Sequence, residues 1–241
     1  MSGWWSEERA SRAILVVTIG FIVATLGVIL SPNGLVGRPW HAWRAEVQRS
    51  VLLQESWAEL SGTKNEFVSG RGDVPADAPA LVVFSDYRCT YCRALFNRLD
   101  STGEANHLRL LVQPFPVDSL SGRAAAEVAV CASREGVFPR VNAALMRRED
   151  WFVMTHSAEI ARLVLGDSVG DVLACLESDY PGAILASADS LRRRLGVVVT
   201  PTVVGPASVV PGLPPVGFLD SLAAVVNTVE RMHIGPIVFS Y

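Results

Sequence analysis

Two cysteines that stand two residues apart, directly after an apolar run, constrain the fold of this chain more than any other feature. The stretch FSDYRCTYC places Cys89 and Cys92 behind Leu81–Ser85, which has the length and composition of a short buried strand. The next residues, Tyr91–Leu99, favour a helix, so the pair falls at a strand-to-helix junction. A pair in this position has three interpretations: a metal site, a redox couple or ordinary packing.

A zinc site is the first of these interpretations. Structural zinc is held by four Cys or His ligands, usually arranged as two close pairs. The other two cysteines, Cys131 and Cys175, have no Cys or His nearby in sequence, and the four histidines are scattered singly. The sequence therefore predicts no metal, and no other cofactor. Packing alone explains the spacing poorly, because buried cysteines need no fixed separation.

Redox chemistry explains both the spacing and the position of the pair. A helix that begins near Thr90 puts Cys89 at its N-cap and Cys92 in its first turn, where unpaired N–H groups and the helix dipole stabilise a thiolate. We expect the charges of Arg88 and Arg93 to add to this effect. A thiol with a lowered pKa is the better nucleophile and leaving group. Cys89 is therefore predicted to form mixed disulfides, and Cys92 to resolve them.

An uncharged apolar run, Ala13–Leu30, lies near the start of the chain. As a helix it would span about 27 Å, close to the ~30 Å hydrocarbon core of a bilayer. We expect a retained transmembrane anchor, with residues 1–12 in the cytoplasm. A cleaved signal peptide and a buried core helix are the alternatives, but the run has neither a good cleavage site nor a polar stripe. The flanking arginines orient the span poorly, so its orientation has to come from the chemistry of the domain.

Residues 31–64 are predicted to form a connector and an amphipathic helix. The helix would be a stalk or would lie at the membrane surface. Residues 61–79 are predicted to be loop-like, and the main domain is predicted to occupy 65–241.

The main domain has a mixed order of elements, which favours an α/β sheet with helices packed on it. Pro201 should stand at the beginning of a strand, because proline cannot donate within a central strand. The predicted elements after the first strand and helix are a strand at Leu108–Pro114, a helical block, strand-like Val197–Val204, a short strand at Ala207–Val210 and a helix at Phe218–Met232.

VVFSDYRCTYCRAL, the helical block and GVVVTPTVVG together resemble the DsbA-like branch of the thioredoxin superfamily, especially its membrane-anchored bacterial members. The resemblance covers about residues 65–241. It implies a thioredoxin fold with a central mixed sheet and an all-helical insertion at about 119–196. It also implies a cis Thr200–Pro201 bond beside Cys89–Cys92, with a backbone that binds extended substrate as an added strand.

Cys131 and Cys175 each fall on the apolar side of a predicted insertion helix. Buried free cysteines are one interpretation, since cysteine is among the most buried residue types. Some relatives carry a second disulfide in the insertion, and the resemblance therefore implies a structural Cys131–Cys175 bond outside the cytoplasm.

The resemblance implies an extracytoplasmic, membrane-tethered thiol–disulfide oxidoreductase. Its expected partners are exported polypeptides with free thiols and a quinone-linked membrane oxidase that recycles it. The sequence departs from the pattern of the family at three positions: Thr90 and Tyr91 between the cysteines, and Val83 where many relatives have a buried acid. These departures leave open whether the protein oxidises or reduces its substrates. A reductase or isomerase and a non-enzymatic binding module remain alternatives. The net charge of −3 gives no basis for a nucleic-acid partner.

Overall fold

The computed structural model describes residues 18–19, 21–23, 25–26, 48, 51–53, 55–57, 59–62, 66–67, 74–75, 78–117, 119–206, 208–222 and 224. The chain divides into two units, Met1–Arg49 and Ser50–Tyr241. Most of the predicted anchor at 13–30 lies outside the described residues, and the described residues within it are helical. In the part of the chain that the structure describes, no helix has both the length and the apolar character needed to cross a membrane.

A mixed sheet forms the centre of the second unit. Its strands are β1 (Glu66–Phe67), β2 (Ala80–Ser85), β3 (Arg109–Pro114), β4 (Thr202–Gly205) and β5 (Ser208–Pro211). β2 pairs with β3 in parallel, and the other neighbours pair antiparallel, in the order β1-β3-β2-β4-β5. All six residues of β2 are buried, as expected of a central strand covered on both faces. β1 lies in the stretch predicted to be loop-like.

Helices cover the sheet and make up the segment between β3 and β4. α1 (Thr90–Thr102) follows β2 directly. The insertion, predicted at about 119–196, contains five further helices: α2 (Leu120–Arg134), α3 (Phe138–Arg147), α4 (Ser157–Leu165), α5 (Gly170–Leu176) and α6 (Tyr180–Arg194), with short 3₁₀ turns at Asp150–Val153 and Gly166–Val169. Residues 218–222 and 224 are helical, within the predicted last helix.

Alternate residues of β2 enter two separate hydrophobic clusters, as the period of a strand requires. Leu81 and Val83 pack with α1 and the insertion. The opposite face includes Phe84 and also two leucines from the helical residues within 51–61, Leu53 and Leu60. The described part of the predicted stalk helix, within 51–61, therefore packs on the sheet, and the packed body begins before residue 65.

The stretch predicted to be strand-like on both sides of Pro201 is a strand only after it, which confirms the prediction that Pro201 stands at the beginning of a strand. β4 begins at Thr202, whereas Val198 and Val199 are exposed and outside the sheet. Main-chain carbonyls of this stretch accept hydrogen bonds from side chains instead. Arg192 donates to Val197 O at 3.2 Å, and Thr202 Oγ1 donates to Val199 O at 2.7 Å. Proline, which has no N–H to donate, thus marks the start of the strand rather than its middle.

Candidate active site

Cys89 is the N-cap residue of α1. Its backbone is extended, and its Sγ accepts a hydrogen bond from the N–H of Cys92 at 3.3 Å. This satisfies one of the unpaired N–H groups at the start of the helix. Both cysteines are free thiols: Cys89 is half-buried, whereas Cys92 is only 2% exposed. The structure therefore presents one sulfur to solvent and holds the second beneath it.

The surroundings of the two thiols drive their pKa values apart. The pKa of Cys89 is lowered to about 6, chiefly by the hydrogen bond with the Cys92 side chain, and further by Thr200 and by backbone N–H groups of the first turn; burial opposes the shift. The pKa of Cys92 is raised by its hydrogen bond with Cys89 and by burial. The first proton lost by the dithiol thus leaves the thiolate on Cys89, the accessible sulfur.

Arg88 and Arg93 have a different role from the predicted one. Arg88 donates to Ser121 Oγ at 3.1 Å, and Arg93 donates to two main-chain carbonyls at the end of α3 at 3.1 and 2.9 Å. Both guanidinium groups also stack on Phe152, 5.1 and 5.2 Å from its ring centre. Hydrogen bonds, rather than these charges, lower the Cys89 pKa. The two arginines instead hold residues 88–93, which we call the reactive turn, against the insertion.

Thr200 and Pro201 lie beside Cys89. Their peptide bond is cis, the geometry that the resemblance implies, and Cys89 Sγ donates to Thr200 O at 3.4 Å. The carbonyl of Pro201 accepts from the N–H of Gly212 at 2.8 Å, which joins this turn to the end of β5. The structure thus brings together the four residues predicted for exchange and substrate binding.

Asp86 holds the backbone that leads into the reactive turn. Its side chain is 4% exposed and accepts from the N–H groups of Arg88 at 2.8 Å and Val117 at 2.7 Å. Burial raises the pKa of this carboxyl, and the two backbone bonds oppose the rise. Gly122 makes room for it, since a Cβ there would lie 2.5 Å from Ser119 Oγ and 3.3 Å from Asp86 Oδ1. The motif letters FSD contain this residue, but only the structure shows its partners.

Tyr87 and Asn142 form a buried contact below the cysteines. The Tyr87 hydroxyl donates to Asn142 Oδ1 at 3.1 Å, and neither side chain is more than 1% exposed. Burial raises the Tyr87 pKa well above its usual range. Asn142 belongs to α3 and lies 55 residues from Tyr87 in sequence. No local pattern in the sequence indicates this pairing.

A surface groove runs past Cys89. It is lined by the reactive turn, by Val117 and Ser119 after β3, and by Val198–Thr200. Val198 is 75% exposed, and Tyr91 in the first turn of α1 is 63% exposed. Exposed apolar side chains beside a reactive thiol can bind an extended polypeptide without a fixed sequence. We call this surface the Cys89 groove.

Cys131 and Cys175 are bonded to each other in the structure. They join α2 to α5, and their side chains are 0% and 3% exposed. This is the pairing that the resemblance implies. Within the described ranges, no group of three or more His, Cys, Asp or Glu residues is placed to hold a metal ion.

Comparison with known proteins agrees with this architecture. A family model described as thioredoxin matches residues 69–205. A thioredoxin-like oxidoreductase from Silicibacter pomeroyi is 26% identical, with a TM-score of 0.55 over 71% of this chain and 96% of that one. The catalytic domain of Proteus mirabilis ScsC is 22% identical, with a TM-score of 0.57 over 74% and 97%. The thiol-disulfide exchange protein α-DsbA2 from Wolbachia pipientis is 17% identical, with a TM-score of 0.59 over 77% and 98%.

Comparison with curated protein sequences finds no match. The family model, however, covers more than half of the chain and includes β2, the cysteine pair, the insertion and Thr200–Pro201. On the strength of that match, this chain belongs to the thioredoxin family.

Proposed function

We propose that this protein is an extracytoplasmic thiol–disulfide oxidoreductase that donates the Cys89–Cys92 disulfide to exported polypeptides. One observation carries the proposal: Cys89 is the accessible N-cap thiol with its pKa lowered to about 6, and Cys92 lies buried one turn further on. A thiol that is exposed, acidic and backed by a second thiol is suited to exchange.

The exchange proceeds in two displacements. A substrate thiolate attacks Cys89 Sγ, the Cys89–Cys92 bond breaks, and Cys92 leaves as a thiolate that then takes up a proton. A second substrate thiolate attacks the substrate sulfur of the mixed disulfide, and Cys89 leaves as a thiolate. Two substrate thiols are thereby oxidised to a disulfide, and the Cys89–Cys92 disulfide is reduced to a dithiol. A quinone-linked membrane oxidase is the proposed acceptor of these two electrons.

The lowered Cys89 pKa favours disulfide donation over disulfide reduction. A stabilised thiolate stabilises the reduced enzyme, which makes its disulfide more oxidising. It also makes Cys89 the better leaving group in the second displacement. A reductase would need the opposite balance, and a binding module would need no turnover.

Substrate binding is proposed for the Cys89 groove. Thr200 O lies 3.4 Å from Cys89 Sγ, so a polypeptide bonded to Cys89 would run alongside Val198–Thr200. Main-chain pairing there, as in an added strand, binds without regard to sequence. The exposed valines and Tyr91 supply apolar contacts for unfolded substrates.

The proposed location is outside the cytoplasm, tethered by residues 13–30. Two features support it: the apolar run itself and the Cys131–Cys175 disulfide, a bond that persists mainly in oxidising compartments.

Oxidation of a reduced, unfolded model protein by the oxidised full chain tests the activity. We expect transfer of one disulfide for each protein molecule, with mixed disulfides formed through Cys89. The matched control is Cys89→Ser, which should transfer none. Absence of transfer by the native chain would overturn the proposal and favour a binding module.

A further inference from the structure

A small cavity lies directly behind Cys92. Its volume is about 30 Å³, and it is lined by Ser85, Cys92 and Asn142 together with apolar side chains that include Val83. A cavity of about 10–15 Å³ already holds one water molecule, provided that two or more polar groups face it. The cavity behind Cys92 therefore has the space for one water, and Ser85, Asn142 and the Cys92 sulfur are the groups in an otherwise apolar lining that could bind it.

Asn142 supplies the polar group that needs such a partner. Its side chain is fully buried, and its Oδ1 accepts from the Tyr87 hydroxyl. Its Nδ2 has no protein partner among the described residues, Cys92 included. Because Oδ1 is occupied, the amide nitrogen is the polar atom that Asn142 can offer to the cavity. A buried N–H group without a partner is costly, and a bridging water removes that cost.

Cys92 is the group in the cavity that gains most from a donor. In each displacement at Cys89 the Cys92 sulfur is either leaving or attacking as a thiolate, and it is buried away from bulk water. Ser85 and the N–H of Asp86 lower the Cys92 pKa, but by less than Cys89 and burial raise it. The position where many relatives have a buried acid is Val83, an apolar residue that also lines the cavity. Nothing at that position can donate to Cys92.

We propose that Asn142 is a positioning residue for Cys92: its Nδ2 holds a buried water that donates a hydrogen bond to the Cys92 thiolate. The water accepts from Asn142 Nδ2 and donates to Cys92 Sγ and to Ser85 Oγ. Tyr87 holds the amide by its Oδ1, which leaves Nδ2 as the end that has no protein partner in the described part of the chain. This inference rests on the proposed exchange activity, because it assigns a role within that reaction.

The reaction of the reduced full chain with Ellman's reagent separates the two cysteines. In the first phase the Cys89 thiolate attacks the reagent, its S–S bond breaks, and one thionitrobenzoate leaves. In the second phase Cys92 loses its proton to solvent and attacks Cys89 Sγ, and a second thionitrobenzoate leaves. Two cysteine thiols are oxidised to one disulfide, and one reagent molecule is reduced to two thionitrobenzoates. Absorbance at 412 nm records each release.

Asn142→Leu removes the amide and should slow only the second phase. Loss of one donor that raises the Cys92 pKa by about one unit slows attack by about threefold, since the remaining thiolate is more nucleophilic. The first phase, which belongs to Cys89, serves as the internal control and should stay within about twofold. The two rates are compared at a temperature where urea unfolding shows both proteins to be folded, since opening of an unstable fold would expose Cys92 and would itself alter their ratio.

Asn142→Leu alone leaves the Tyr87 hydroxyl buried without an acceptor, and this can prevent folding. The double variant Tyr87→Phe/Asn142→Leu replaces both partners with apolar groups. It is compared with Tyr87→Phe alone, so that the two proteins differ only at residue 142. A slower second phase in the double variant supports the inference. A second-phase rate within about twofold of Tyr87→Phe overturns it. Absence of a second phase in the native chain would instead overturn the proposed exchange function.

Discussion

Cys89 lies at the N-cap of α1 with its sulfur half-exposed, whereas Cys131 lies within α2 and is fully buried. Cys92 is three residues beyond its partner across the first helical turn, and Cys175 is 44 residues from its own. One pair is held at a helix start, where N–H groups remain free for a thiolate. The other joins two helices whose backbone groups are already paired. Position along a helix, rather than residue type, thus separates an exchangeable sulfur from an inert one.

The two regions are also physically linked. Arg88 and Arg93 extend from the reactive turn to α2, to the end of α3 and to Phe152. The Cys131–Cys175 bond braces the same insertion from within. The insertion therefore supports the reactive turn mechanically, while the pKa of Cys89 is set by local hydrogen bonds. Substitutions should therefore be able to change the reactivity of Cys89 and the stability of the insertion separately.

Replacement of the exchange cysteines should have the largest effect. Cys89→Ser should reduce disulfide transfer to background, since it removes the nucleophile. Cys92→Ser should accumulate mixed disulfides with a model protein that contains disulfides, because the Cys89 thiolate displaces one sulfur of a substrate disulfide and nothing then resolves the product. Non-reducing electrophoresis after incubation with this disulfide-containing protein distinguishes the two variants. Mixed disulfides formed by Cys89→Ser would reverse the assigned roles.

Removal of the insertion disulfide should affect stability instead. In the entropic model, Cys131→Ala/Cys175→Ala lowers the free energy of unfolding by on the order of 4 kcal/mol. Transfer at a temperature where the variant stays folded should remain within about twofold, because the sites are separate. Urea unfolding and transfer rates provide the two readouts. A tenfold loss of transfer by folded protein would show that the two regions are not separable.

Leu60→Ala should lower the free energy of unfolding by an amount comparable to that for removal of the insertion disulfide, but on the other face of the sheet. Leu60 is 1% exposed among residues that pack with Phe84, so its truncation should cost about 2–5 kcal/mol. The Cys89 pKa should not change, since none of its hydrogen bonds is touched. Urea unfolding and thiolate absorbance at 240 nm check both points. An unchanged stability would mean that the segment within 51–61 is a stalk after all.

Arg88→Ala tests the link between the two regions. Loss of its bond to Ser121 should lower the free energy of unfolding by about 1 kcal/mol. The Cys89 pKa should stay close to its value in the native chain, as its lowering comes from hydrogen bonds. The same absorbance titration measures it. A rise of a full pKa unit would restore the charge-based explanation that the sequence suggested.

The last prediction concerns pH. The folded pKa of Cys89 is about 6, below the ~8.5 of an unfolded chain, so between these values the unfolded state of the reduced protein binds more protons. Stability of the reduced protein should therefore rise with pH across this window, relative to Cys89→Ser, and the gain should be lost as pH falls through about 6. If the difference in the free energy of unfolding between the two reduced proteins were the same at all pH values, the low Cys89 pKa would be contradicted.

Local patterns were sufficient to predict several features of the site. The apolar run, the cysteine spacing and the helix after it are contiguous in sequence, and they give the N-cap position of Cys89. The helical block and the strand start at Pro201 also follow from local composition. The thioredoxin fold with its central mixed sheet was implied only through the resemblance, and the order of the strands was not predicted.

Long-range packing was beyond sequence reasoning. The Tyr87–Asn142 contact joins residues 55 positions apart, and neither residue type indicates a partner. The amphipathic pattern around Leu53 and Leu60 did not say which surface would bury it. The charges of Arg88 and Arg93 suggested a thiolate partner, but Phe152 and the carbonyls of α3, which they contact, become neighbours only in the folded chain.

Equilibration of the full chain with glutathione buffers of graded potential, followed by alkylation and mass mapping of each cysteine, tests the central contrast most directly. Cys89 and Cys92 should become reduced together at a midpoint nearer −120 mV than about −270 mV, the approximate values for a strong oxidant and for thioredoxin. Cys131 and Cys175 should stay oxidised throughout, as structural disulfides do to below about −300 mV. Reduction of Cys131–Cys175 before or together with Cys89–Cys92 would contradict the assignment of one exchanging and one structural pair.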